Sequence, residues 1–135
     1  MKNFTNLLVT FLLSFAFTFV SAQTTYDVTF RVDMKNVDPT TFTTPEVNGT
    51  FNSWCGNCNP LSDADGDNIW EATIPLQDGT YEFKYSADAW GIQESLTPGG
   101  SCVITTGAYT NRLLTVAGAN VDLGTVCWES CDPCP

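Results

Sequence analysis

The chain reads as an all-β protein, an antiparallel β-sandwich built from about seven short strands. Three observations predict this. Apolar and polar residues alternate in several short runs, the pattern of strands with one face in a core. Gly, Pro, Asn and Asp interrupt these runs about every 8 to 12 residues. Past the N-terminal apolar run, no stretch repeats with the roughly 3.6-residue period of an amphipathic helix.

The first 22 residues read as a secretory signal. One Lys at position 2 precedes a run rich in Leu, Phe and Val from Phe4 to Val20, and Val20-Ser21-Ala22 supplies a small-residue cleavage site. Residues 1–22 are therefore expected to be removed, leaving residues 23–135 as one domain in an exported protein. With the leader goes one lysine, which moves the formal net charge from −10 to −11. That balance argues against nucleic acid, anionic membranes and sulfated polymers as partners, since each requires a positive footprint. Arg31, Lys35, Lys84 and Arg112, the remaining cations, are scattered.

The strands follow in order. Tyr26, Val28, Phe30, Val32 and Met34 alternate with polar residues to give the first. Glu46 to Phe51 is the second, after a Thr- and Pro-rich loop. The third, Ile69 to Leu76, puts Trp70, Ala72, Ile74 and Leu76 on one face. Asp78-Gly79 is a hairpin signal, and Thr80 to Tyr85 follows with Tyr81, Phe83 and Tyr85 inward and Glu82 and Lys84 outward. Ser86 to Gly100 reads as a long loop. Cys102 to Thr105, Asn111 to Val116 and Val121 to Trp128 complete the set.

Six cysteines, Cys55, Cys58, Cys102, Cys127, Cys131 and Cys134, form an even set in a small exported domain and read as a disulfide framework. The spacing suggests Cys55–Cys58 and Cys131–Cys134 as local loops and Cys102–Cys127 as the bond between strands.

Several motifs offer chemistry. Trp54-Cys-Gly-Asn-Cys58 looks like a thioredoxin-type active site, but a reactive thiol there needs a helix N-terminus to lower its pKa, and Asn59-Pro60 with an Asp/Gly loop follows instead. A disulfide stiffening the loop behind Trp54 is the plainer reading. Asp63, Asp65 and Asp67 have the alternate spacing that opens a calcium loop. The EF-hand pattern, however, wants Gly and Glu where Asn68 and Ile74 stand, which leaves only a different geometry using Glu71. Zinc is disfavoured because the chain has no His. No nucleophile elbow or cofactor motif is present, and a small sandwich offers little cleft for paired-carboxylate hydrolysis, so a non-enzymatic role is expected. Trp54 and Trp90 are different. Each follows a strand exit, out of strand phase, among Asn52, Ser53, Asp88, Gln93 and Glu94. Two flat apolar faces beside hydrogen-bonding groups are suited to sugar rings. Trp70 reads as core, and Trp128 as packing on a disulfide.

These residues resemble the glycogen-binding type of carbohydrate-binding module found in AMP-activated kinase β subunits and in starch-branching and debranching enzymes. The likeness runs from Val47 to Val116 through Asn48-Gly-Thr-Phe-Asn-Ser-Trp54, Trp70-Glu-Ala-Thr-Ile-Pro-Leu76, Gly79-Thr-Tyr-Glu-Phe-Lys-Tyr85, Asp88-Ala-Trp90 and Thr110-Asn-Arg-Leu-Leu-Thr-Val116. The cysteine-bearing pieces, Trp54-Cys-x-x-Cys-Asn-Pro60, Leu96-Thr-Pro-Gly-Gly100 and Cys127-Trp-x-x-Cys131, are similar to modules appended to secreted bacterial polysaccharide-degrading enzymes.

The resemblance implies an immunoglobulin-like sandwich of seven or eight strands in which Trp54 and Trp90 stack on glucose rings. It also implies that Lys84 and Asn111 bind sugar hydroxyls and that Tyr109 pushes into the glucan; Gln93 adds a hydrogen-bonding group beside Trp90. The cysteines, the long Trp90-to-Asn111 segment and the acidic loop depart from the kinase modules. They leave an α-glucan, a β-glucan or another neutral polymer open.

The expected function is thus secreted, non-catalytic binding of a neutral polysaccharide. A glycoside hydrolase or a surface glycan-uptake protein would be a separate partner chain. The alternatives are a cell-surface structural or protein-interaction sandwich and a thiol oxidoreductase using Cys55 and Cys58.

Overall fold

Alternation along β1 (Tyr26–Asp33) decides the layering. Val28, Phe30 and Val32, with Met34 just beyond, are buried, while the intervening side chains reach solvent except at Asp33. β1 is the middle strand of a three-stranded sheet, flanked by β3 (Ile69–Leu76) and β8 (Val121–Cys127). Facing it is a five-stranded sheet of β2 (Pro45–Gly49), β4 (Gly79–Ala87), β5 (Ile92–Gln93), β6 (Val103–Thr106) and β7 (Tyr109–Val116). Its order is β2-β4-β7-β6, with β5 on β4. This computed structural model describes residues 22–135; the signal segment read from the sequence lies outside them but for Ala22.

The all-β sandwich is therefore observed, with eight strands in two sheets. Phe30 meets Phe83 edge-on at 5.2 Å between ring centres, and Val47, Tyr85, Leu114 and Val116 complete the opposite wall of the core. Trp70 packs on this core only partly buried, against Phe42. Trp128 also lies partly buried against the core.

The segment Ser86 to Gly100, expected as a loop, continues β4 to Ala87 and holds β5, and four further expectations need correction. The strand expected at Glu46–Phe51 stops at Gly49 and turns through a 3-10 turn, Thr50–Asn52. The cause is local: Asn52 turns back to accept the Gly49 N–H and to donate to the Val47 carbonyl. A side chain at Gly49 would also lie 2.5 Å from the Glu82 carbonyl. Asp78-Gly79 is a tight turn but not a hairpin, because β3 and β4 belong to different sheets. The turn passes the chain across the core, so that the apolar faces of β3 and β4 oppose one another. Asp78 ties it down by accepting the Gly118 N–H from the β7–β8 turn. The sandwich is not wholly antiparallel, since β8 runs parallel to β1. Gly124, at φ +70°, sits where β8 carries one extra residue relative to β1.

The fourth correction is the disulfides. Cys55–Cys58 is formed, but the other bonds are Cys102–Cys131 and Cys127–Cys134. After β8 the tail folds back: Cys127 donates its N–H to the Asp132 carbonyl, and Ser130 donates to the Cys127 carbonyl. This return brings Cys134 beside Cys127 and sends Cys131 across to the start of β6. Cys102–Cys131, spanning 29 residues, is the bond that most restricts the unfolded chain, by roughly 3.5 kcal/mol. Peptide mapping of the unreduced protein is expected to recover these pairs; a peptide joining Cys102 to Cys127 would contradict the fold of the tail. Three disulfides suit an oxidising environment. Among the described residues no helix is long and apolar enough to cross a membrane.

On the outer face of the smaller sheet, Arg31 of β1 pairs with Glu71 of β3 and Asp122 of β8, joining all three strands. Two exposed carboxylates are held below the ordinary range. Asp38 is lowered by the backbone N–H and hydroxyl of Thr40, and Asp122 by the Gly124 N–H and then by Arg31. A depressed carboxylate stabilises the fold above its unfolded pKa of about 3.9 and loses that contribution as pH falls through its lower folded value. The thermal midpoint is therefore expected to fall below about pH 4. Asp122→Asn should make that acid slope shallower, and an unchanged slope would exclude Asp122 as a contributor.

Candidate functional site

The backbone presents both loop tryptophans in an unusual way. Trp54 follows the 3-10 turn with Ser53 and Trp54 at φ +54° and +57°, and Asp88, Ala89 and Trp90 are left-handed in succession at φ +54°, +54° and +73°. Left-handed backbone is disfavoured for residues with a Cβ, and runs of it persist only when surrounding contacts hold them. Here the holding contacts are polar. Asn52 accepts the Trp54 N–H, and Asp88 accepts the N–H groups of Thr43 and Thr44.

The two indoles are thereby brought side by side, with ring centres 6.3 Å apart and planes at 38°. Trp90 Nε1 donates to the Trp54 carbonyl at 3.4 Å. Both rings are half-buried and line one open groove of about 390 Å³ on the outer face of the five-stranded sheet.

All six residues expected from the sequence line that groove: Trp54, Trp90, Lys84, Asn111, Tyr109 and Gln93. Lys84 projects outward from β4, Gln93 comes from β5, and Tyr109 and Asn111 share the outward face of β7. Tyr109 is 72% exposed, unusual for so large a ring. Among the described residues Lys84 is the only cation without an ion pair, since Arg31, Lys35 and Arg112 all have acidic partners. Its ammonium is free to donate into the groove.

The sequence reading missed Glu82, Thr50 and Thr106, which also line the groove. Glu82 accepts from Asn111 Nδ2 and from the Thr106 hydroxyl, both at 2.9 Å. A carboxylate can only accept, so this bond fixes the Asn111 amide with its nitrogen toward Glu82 and leaves Oδ1 as the group with capacity for a ligand. Glu82 was detectable in principle: it shares the outward phase of Lys84, two residues away. The two threonines carried no such signal, because their place depends on β6 pairing beside β7 and on how the 3-10 turn lies over the sheet.

No protein-family model and no curated protein matches the chain.

The groove can therefore offer two apolar faces, a phenol, an ammonium donor, amide groups and one carboxylate. Two-carboxylate hydrolysis would need a second acid, and among the described residues Glu82 is the only one lining the groove. The Cys55–Cys58 loop runs on from Trp54 with no helix beginning at Cys55, so the dipole that activates a thioredoxin-type thiol is not provided. Asp63, Asp65 and Asp67 place carboxylate oxygens within 4.8 Å of one another. Asp63, however, uses both oxygens to accept the N–H groups of Gly66, Asp67 and Asn68, and Glu71 is engaged by Arg31. That arrangement accounts for the loop as an aspartate-stabilised turn.

Proposed function

We propose that this chain is a non-catalytic carbohydrate-binding module that holds a neutral polysaccharide, a glucan in first place, across Trp54 and Trp90. The observation that carries the reading is the convergence of two tilted indoles, an unpaired ammonium and a fixed amide in one open groove. Pyranose rings present apolar C–H faces and equatorial hydroxyls, which match stacked aromatics and edge-on polar groups respectively. Two faces hiding on the order of 100 Å² each contribute roughly 5 kcal/mol gross. After lost ligand freedom, a net near −4 to −6 kcal/mol corresponds to dissociation constants from about a millimolar to tens of micromolar. Such weak sites work through long ligands or tethering to another protein. The leader pattern and the three disulfides support placing this role outside the cell.

The test is affinity electrophoresis of residues 23–135 through neutral and sulfated glucans, xylans and galactans. Retardation by a neutral polymer is expected, and no retardation by any glycan would refute the reading. A second reading, a protein-contact surface, has one observation in its favour: Ile104, Leu113 and Tyr109, the exposed large apolar side chains among the described residues, all lie on the β6–β7 hairpin. It predicts that Tyr109→Ala leaves every glycan interaction unchanged.

A further inference from the structure

Glu46, Asn48 and Ser86 lie on the outward phase of β2 and β4, the same side as Lys84, and should face water. They are nevertheless 2%, 0% and 0% exposed. The two tryptophan loops lie over them and make a small polar layer between sheet and groove. Within it the hydrogen bonds converge on the Glu46 carboxylate. Asn48 grips Gly56 by both backbone groups, accepting its N–H at 2.8 Å and donating to its carbonyl at 2.9 Å. The same amide nitrogen donates to the Ser86 hydroxyl, which donates to Glu46 Oε2. Glu46 Oε1 then accepts the Ala89 N–H at 2.7 Å.

The chain of bonds thus begins in the Trp54 loop, at Gly56, and ends in the Trp90 loop, at Ala89. Gly56 is also the shelf beneath Trp90: a Cβ there would lie 3.1 Å from Trp90 Cδ1. Trp90 is held through the backbone of its neighbour Ala89 by Glu46, and from behind by Gly56, which Asn48 fixes. We infer that Glu46, Ser86 and Asn48 are positioning residues that set the mutual tilt of Trp54 and Trp90 from beneath, and so determine the shape of chain the groove accepts. The last step, binding, rests on the module reading above; the orientation step does not.

Ser86→Ala separates the two halves while leaving each loop tied to its own anchor. Glu46→Leu keeps most of the volume but removes both acceptors, so the Ser86 hydroxyl and the Ala89 N–H lose the group that joins them. Two neighbouring tilted indoles produce a coupled circular-dichroism band, obtained as the difference between the parent and Trp90→Ala. Both variants, made in residues 23–135 and shown to unfold cooperatively, are expected to lose most of that band and to bind the retarding polymer at least tenfold more weakly. A folded variant that keeps the band overturns the inference, whatever its binding. Should Ser86→Ala not fold, Glu46→Leu decides alone. If the parent binds no glycan and the band still collapses, the positioning role stands and the module reading falls.

Discussion

Replacing Trp54 and Trp90 together by alanine is expected to abolish retention on the polysaccharide that the parent binds. Each single replacement should weaken binding by about 2.5 kcal/mol, roughly 70-fold, the value of one indole face covered by a sugar. The fold should survive, because both rings lie over the outer face of the five-stranded sheet and not in the Phe30–Phe83 core. Urea unfolding measured beside the binding assay separates the readings. A large loss of stability without any glycan interaction to lose would make the tryptophans packing residues of a structural or protein-contact domain. Additivity carries further information. The Trp90 indole donates to the Trp54 carbonyl and the two rings sit 6.3 Å apart, so the double mutant should lose less than the sum of the singles.

The largest effect on stability is expected at Arg112. Its guanidinium makes a two-pronged contact with Glu94, Nη2 to Oε2 at 2.6 Å and Nε to Oε1 at 2.9 Å. The side chains are 3% and 0% exposed. Arg112 also donates to the Ser130 carbonyl and lies 5.2 Å above the Tyr85 ring, whose hydroxyl is pushed to a higher pKa by burial. Glu94 meanwhile accepts the Tyr85 N–H where the partner of β4 changes from β7 to β5. Arg112→Met leaves a buried carboxylate with no counter-charge and should cost about 3–5 kcal/mol, read as a lower urea midpoint with unchanged slope. Arg112→Met with Glu94→Gln should be milder than Arg112→Met alone, because Gln still accepts the Tyr85 N–H and carries no charge. If the double variant is the less stable of the two, the pair is not acting as a charge pair.

The groove shows how far local pattern reaches. Strand phase placed Lys84 outward, and strand exits singled out Trp54 and Trp90, because these depend on the two-residue repeat of a strand and on where it ends. The sheet core was legible for the same reason in Val28, Phe30, Val32, Phe83 and Tyr85. Glu46, Asn48 and Ser86 were not. Their outward phase says solvent, and only loops arriving from elsewhere in the chain bury them. Arg112 has inward phase, which in a strand argues for an apolar residue, and its partner Glu94 lies in a segment with no strand pattern at all.

Alternation, turn residues and even cysteine count were sufficient for the class of fold and the half-buried strands, and strand exits for Trp54 and Trp90, since each is written in short-range order along the chain; Lys84, Asn111 and Tyr109 were expected only through the family likeness. The tertiary structure alone decided which strands share a sheet, that β8 runs parallel to β1, and how four of the cysteines pair. It also decided that one buried row of hydrogen bonds underlies both tryptophans. Those features depend on which distant segments meet, and a separation of about forty residues between Glu46 and Ser86 leaves no periodicity to read. The tilt of the two indoles is therefore a property of the assembled sandwich, while their presence is a property of the chain.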